Sequence, residues 1–320
     1  MAEQHHLTPC EKFQREGREW DRLVVHKKDT DGHETVVGHS QLRKDAVEKV
    51  TGTAKYGADV NFPGQLYGAV AHSPHPHARI LSVNIEKALA VPGVHAVITG
   101  KDYPEPYGQF IADQPIIAID KVRYQGEPVA AVAAETELAA RQAAKLVEVE
   151  YELLPVVNDL EESMKNETLI HEDWSRYDCS SVCFPVQGTN IGDQFHLKKG
   201  DVEKGFAEAD LIVESKFRCG QLQHTLMETH TATAAANPFT QEIQVWTPNQ
   251  SPFGIRSLMG KIFGVPAEKV RLTLTEIGGG FGGKYEAKCE PIAIALSLKC
   301  GGRPVKLTYD RHEEFEATVC

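Results

Sequence analysis

Residues 275–288 read TEIGGGFGGKYEAK, five glycines packed around one phenylalanine and followed by Lys284 and Tyr285. Consecutive glycines strip Cβ atoms from the backbone and expose its N–H groups, so a flat or anionic ligand can approach closely. Gly278, four residues and then Gly283-Lys284 also reproduce the start of a phosphate-binding P-loop, between a strand-like RLTLTEI and a helix-like EPIAIALSLK. The template fails at the next position. Tyr285 stands where a Ser or Thr would hold magnesium, and no β-run ending in Asp supplies a second metal-holding group. A ligand-free tight turn explains a single glycine pair; five glycines in six positions point to a ligand wall.

Working outward, Leu66–Ser73 and Gly93–Gly100 read as strands, with a short helical pattern between them stopped at Pro92-Gly93. Val122–Tyr124 and Val129–Ala133 read as β-runs joined across a turn at Gly126. Leu138, Ala139, Ala143 and Leu146 then fall at helical spacing before a strand at Val147–Tyr151. Residues 158–188 show weak periodicity, as in a linker. Further on, Asp201 reads as a helix N-cap and Leu211–Cys219 as a strand, and a hairpin turns at Asn237-Pro238. A helix is expected over Pro252–Phe263, and another closes at Gly301-Gly302 before a strand from Val305. The pattern predicts an α+β protein in four parts: an arm (1–40), a first α+β domain (41–160), a linker (161–190) and a second domain (191–320).

The composition fits this division. A chain of 320 residues with 41% hydrophobic content can bury two cores. Its 45 acidic against 34 basic residues give a net charge of −11, which repels a phosphate backbone and argues against nucleic acid. No run approaches the roughly 20 apolar residues that span a bilayer, and the first 20 residues lack a signal-peptide core. A cytoplasmic protein is expected, with its seven scattered cysteines as reduced thiols.

The glycine loop does not stand alone. GGGFGGK (278–284) resembles a loop of the molybdenum-cofactor subunit of the xanthine dehydrogenase and aldehyde oxidase family. DAVEKVTGTAKYGADV (45–60), SPHPHARI (73–80), VRYQGEPVAAVAAE (122–135), GDVEKGFAEADLIVE (200–214) and HTLMETHTATA (224–234) resemble other family stretches in the family's order. The resemblance covers roughly residues 40–320. It implies an α/β hammerhead-type domain followed by the first, incomplete part of a molybdopterin-binding domain.

The resemblance also implies roles. Gly279, Gly280, Phe281 and Gly282 would contact a molybdopterin, expected in its cytosine dinucleotide form, that carries molybdenum. Gln250 falls on the family glutamine that hydrogen-bonds a molybdenum oxo group. A side-chain amide N–H suits a developing oxyanion; the plainer reading of Gln250 is a polar residue at a helix start. Purine-oxidising members carry a substrate-binding glutamate where this chain has Tyr285, and Glu286, one residue on, is a poor replacement. Tyrosine offers an aromatic face and one hydroxyl, which suits an aromatic or acyl substrate better than xanthine.

Other polar clusters take plainer readings. His75 and His77 have H-x-H spacing but match a structural loop of the first domain. His224, Glu228 and His230 lie in a β-like stretch that would put all three on one strand face in the interior of the cofactor domain. The carboxylates of HEEFEA (312–317) read as a solvated helix end.

The family's chain continues beyond this one, so the general-base glutamate and further pterin contacts are expected outside it, on a C-terminal molybdopterin-domain polypeptide. The implied activity is oxidative hydroxylation of an aromatic heterocycle or aldehyde, or reduction of an aromatic thioester. Electrons would pass to partner subunits carrying iron–sulfur clusters and FAD. The alternative is a non-catalytic fragment or assembly module that retains the fold.

Overall fold

The computed structural model describes residues 27–28, 34–35 and 43–318. The chain divides into two units, Met1–Lys55 and Tyr56–Cys320. The arm expected over 1–40 lies outside the described residues, apart from the antiparallel pairing of Lys27–Lys28 with Glu34–Thr35. The described part of the first unit also holds a helix, Ala46–Thr51, ended by Gly52 in the left-handed region.

The second unit is built on a seven-stranded mixed sheet. Its strands are β1 (Leu66–His72), β3 (Val94–Thr99), β5 (Pro128–Ala134), β7 (Thr231–Ala236), β8 (Ile243–Thr247), β9 (Val270–Leu274) and β10 (Val305–Thr308). Their spatial order is β9-β8-β7-β10-β1-β5-β3. Strands from both halves of the chain therefore share one sheet, joined where β10 runs parallel to β1. A second sheet of three strands carries β2 (Ala78–Asn84) between β4 (Lys121–Val122) and β6 (Glu148–Leu153).

All seven residues of β5 are buried, as a strand covered on both faces requires. Ala130, Val132 and Ala134 pack with Ala140, Ala143 and Ala144 of α1 (Glu137–Ala144). Ala131 and Ala133 face the opposite core, which includes the apolar residues of α3 (Cys289–Lys299). Thr136 caps α1 by accepting the Ala139 N–H at 3.1 Å. Helix α2 (Pro252–Ile262) opens on proline and is followed by Gly264 at φ 63°, close to the expected bounds. No helix among the described residues is long and apolar enough to cross a membrane.

Three local expectations fail. The β-runs flanking Gly126 do not form a hairpin, because β5 already has β1 and β3 on its two edges. The preceding β4 pairs with β2 in the smaller sheet instead. Leu211–Cys219 has no regular structure, and Leu211, Val213 and Phe217 are 79%, 77% and 87% exposed. Its alternation suits a strand, but no strand among the described residues pairs with it; only its polar side is tied down, Arg218 to Asp159 at 2.8 Å and Lys216 to Glu161. The third failure concerns the HEEFEA carboxylates. α4 (Arg311–Glu316) starts from a capping box between Asp310 and Glu313, but Glu314 points inward and is 1% exposed.

Candidate functional site

β8 and β9 are parallel neighbours, so the segments leaving their C-terminal ends emerge side by side. Ligands in sheets of this kind bind beyond the carboxyl ends of strands. After β8 the chain runs through Asn249 and Gln250 into α2; after β9 it runs through the glycine loop into α3. β7 is antiparallel to β8, so Glu228 and His230, just before β7, reach the same end. β10 is antiparallel to β7, which brings Glu314 of α4 there as well.

The glycine loop is held in a shape that needs its glycines. Gly279 and Gly282 adopt φ of 105° and 97°, and Phe281 between them sits at 50°, unusual for a residue with a Cβ. A Cβ on Gly278 would lie 2.6 Å from the Cβ of Glu228, and one on Gly280 would lie 2.5 Å from Cδ of Gln250. The Phe281 ring is 74% exposed.

Gln250 is fixed by this loop. The N–H groups of Gly282 and Lys284 donate to its Oε1 at 3.2 and 3.1 Å, and its own backbone N–H donates to the Lys284 carbonyl at 2.8 Å. With Oε1 engaged twice, the amide is oriented, and Nε2 has no partner among the described residues. Beneath it, buried Glu290 accepts from Thr247 Oγ1 at 2.7 Å, Asn249 Nδ2 at 3.2 Å and the Lys288 N–H at 3.1 Å, tying α3 to the end of β8.

The lysine of the P-loop-like pattern is turned away from solvent. Lys284 is 1% exposed, and its Nζ donates to Glu228 Oε2 at 2.7 Å. An ammonium held under the loop cannot grip a phosphate above it. His230 bridges two groups: Nδ1 lies 2.9 Å from Glu314 Oε1 and Nε2 lies 3.1 Å from the Gly283 carbonyl. Burial alone would push the Glu314 carboxyl up, but the hydrogen bonds and charge of His230 outweigh it and hold the group below its ordinary range.

Structure thus brings Gln250, Gly279, Gly280, Phe281, Gly282 and Tyr285 to one end of the sheet. Tyr285 is 42% exposed, and its hydroxyl accepts from Gln109 Nε2 at 3.0 Å. Glu286 turns to Lys288 instead, at 3.3 Å. His224, Glu228 and His230 do not share a strand face: β7 starts only at Thr231, and Thr225 has φ 51°. His75 and His77 serve local packing: His77 Nδ1 donates to the Pro155 carbonyl at 2.6 Å, and His75 packs edge-on to Tyr151. Sequence reasoning missed Gln109 and Glu314. Gln109 sits in a loop with no periodicity, whereas the carboxylates of HEEFEA (312–317) marked a helix end without showing which one turns inward.

A second polar cluster lines a cavity of about 330 Å³ that includes Asp113, Arg123, Glu127, His171 and Lys288. Burial pushes Glu127 up to about 7, although its Oε2 accepts the Arg123 N–H at 2.6 Å. Burial, with Arg123 and Lys121 nearby, pulls His171 down to about 4.

The bare, positive-φ wall and the free, oriented Gln250 donor fit a flat cofactor that presents an oxygen to the amide. Residues 51–155 match the family profile "Aldehyde oxidase and xanthine dehydrogenase, a/b hammerhead domain", and residues 184–320 match "Molybdopterin cofactor-binding domain". The chain is 38% identical over 286 residues to a probable xanthine dehydrogenase subunit of Bacillus subtilis, with 88% of this chain and 36% of the relative covered. It is 33% identical to the nicotinate dehydrogenase large molybdopterin subunit of Eubacterium barkeri, with 87% of this chain and 62% of that relative covered. Quinoline 2-oxidoreductase from Pseudomonas putida 86 superposes with a TM-score of 0.72 at 30% identity, over 91% of this chain and 36% of that one. The chain thus spans less than two thirds of each.

Proposed function

The chain belongs to the aldehyde oxidase and xanthine dehydrogenase family of molybdenum hydroxylases, and from that membership we propose that it forms one wall of a molybdopterin site. The observation that carries the proposal is the aim of Gln250: with Oε1 locked by two loop N–H groups, only its N–H donor is left to face a ligand. When bound, molybdopterin supplies the redox centre for hydroxylating an aromatic heterocycle or aldehyde, or for reducing an aromatic thioester.

The chain's own part is to bind and orient. Gly279 and Gly282 let the flat ring system lie against the backbone, Gly280 makes room for the Gln250 amide beside it, and the exposed Phe281 ring excludes water. Gln250 Nε2–H offers a preorganised donor to an oxygen that gathers negative charge, and it needs no rearrangement to do so. Tyr285, steadied by Gln109, presents a hydroxyl and a ring face to an aromatic or acyl substrate.

The remaining parts of the proposal rest on the family. We assign residues 41–160 to the hammerhead domain and 191–320 to the first part of the cofactor domain, after an arm (1–40) and a linker (161–190). The general-base glutamate and the opposite wall come from a C-terminal molybdopterin-domain polypeptide. Partner subunits with iron–sulfur clusters and FAD take the electrons, the cofactor is the cytosine dinucleotide form, and the assembly is cytoplasmic. The nicotinate dehydrogenase relative, itself named a large molybdopterin subunit, supports a divided arrangement.

The test is to produce the chain alone and together with a polypeptide matching the remainder of its relatives, then measure molybdenum and released pterin. The expected result is about one molybdenum per complex and little in the isolated chain. A complex that assembles and contains neither molybdenum nor pterin overturns the proposal.

A further inference from the structure

A loop that holds several residues at positive φ keeps that shape only where its surroundings over-determine it. Here the surroundings converge on one side chain. Oε2 of Glu228 accepts both from the Gly278 N–H at 2.8 Å and from Lys284 Nζ at 2.7 Å, so a single carboxylate oxygen joins the two ends of the glycine run. Oε1 accepts from the Gly57 N–H at 3.0 Å, and the backbone N–H of Glu228 donates to the Gly278 carbonyl at 3.0 Å. The side chains of Lys284 and Glu228 are 2% and 12% exposed. Gly278 is the matching half of the arrangement, since the space a Cβ would need there is filled by Glu228 Cβ.

We propose that Glu228 is a positioning residue, a latch that holds the glycine loop in its working shape before any ligand arrives, with Lys284 as its counter-ion. Apolar residues in the same volume would fill it at no desolvation cost, so the ion pair is a poor choice for raw stability. Its value is directional. Only a carboxylate can accept from Gly278, Lys284 and Gly57 together, and those three bonds fix where the loop starts and where it ends. His230 adds a second hold through the Gly283 carbonyl, backed by Glu314. Gln250 then receives its two N–H groups from a loop that is already placed. What the loop is ready for rests on the molybdopterin reading; the latch does not.

Amide hydrogen exchange on the full 320-residue chain, without cofactor, tests this. In Glu228→Gln the amides within 275–288 are expected to exchange about tenfold faster, while those of β5 stay within about twofold of the parent. Lys284→Arg is expected to keep the loop protected, and Lys284→Met to release it. Loop exchange in Glu228→Gln within about twofold of the parent overturns the latch. If Glu228→Gln also exposes β5, the pair Glu228→Met with Lys284→Met removes both buried charges; protected β5 with a fast loop is then the expected result. A loop as slow as the parent's in that pair, or β5 unprotected again, overturns the proposal. A complex that lacks molybdenum overturns the reading of the site and leaves the exchange result standing.

Discussion

The side-chain amide of Gln250 occupies the space that a Cβ on Gly280 would need, with Cδ 2.5 Å and Oε1 2.6 Å from that ideal position. The backbone of one residue and the side chain of the other are thus packed as a single surface. Gly280 does not lie in the positive-φ region, so alanine there meets a contact and no backbone strain. Gly280→Ala is expected to push the amide off its two N–H donors and cost about 1–3 kcal/mol in denaturant unfolding. Adding Gln250→Ala is expected to restore most of that stability. A double variant as unstable as Gly280→Ala alone would show that the clash lies elsewhere.

Gly282 tests the opposite property. Its φ of 97° excludes a Cβ on conformational grounds, while the nearest atom to a built Cβ, His224 Nε2, is 3.7 Å away. Gly282→Ala is expected to cost about 1–2 kcal/mol by strain alone, with no rescue from shortening His224. Thermal unfolding of Gly282→Ala with and without His224→Ala reads this directly.

Tyr285 is expected to govern substrate choice more than stability. Tyr285→Phe loses one half-exposed hydrogen bond from Gln109, worth about 1 kcal/mol or less. In the assembled enzyme the same change is expected to raise KM with little change in kcat, and steady-state kinetics on an aromatic aldehyde separates the two. Efficient turnover of xanthine by the parent complex would overturn the assignment of Tyr285 as a substrate contact that disfavours purines.

Glu127 should make the fold sensitive to pH. Its carboxyl, buried at 4% exposure, is pushed up to about 7, against about 4.3 in the unfolded chain. Between those values the folded form keeps a proton that the unfolded form has lost, so stability falls as pH rises through this window. Above the folded value the full penalty of a buried charge remains, on the order of 4 kcal/mol. Glu127→Gln is expected to be more stable than the parent at pH 8 and similar to it at pH 4. Equal melting temperatures at pH 8 would show that the carboxylate is compensated.

Much of this fold is written locally. The all-buried run of β5, the Thr136 and Asp201 caps, the proline start of α2 and the Gly301-Gly302 stop of α3 each depend on a few adjacent residues. Hydrophobic period, capping oxygens and positive-φ glycines act over one or two turns of chain, so sequence determines them by itself. The bareness of the glycine loop and the failure of the P-loop template at Tyr285 belong to the same class.

Tertiary structure decided what those elements meet. Strand pairing joins residues far apart in sequence, and nothing in VKLT (305–308) says that it runs parallel to Leu66–Gly68 and antiparallel to Thr231–Ala234. For the same reason the strand-like alternation of Leu211–Cys219 could not say whether a partner was present. The inward turn of Glu314, the descent of Lys284 beneath its loop and the 50-residue separation closed by Glu228 and Gly278 all follow from burial. A buried charge or N–H must find a partner wherever the fold places one, and only the assembled sheet brings those partners to one end.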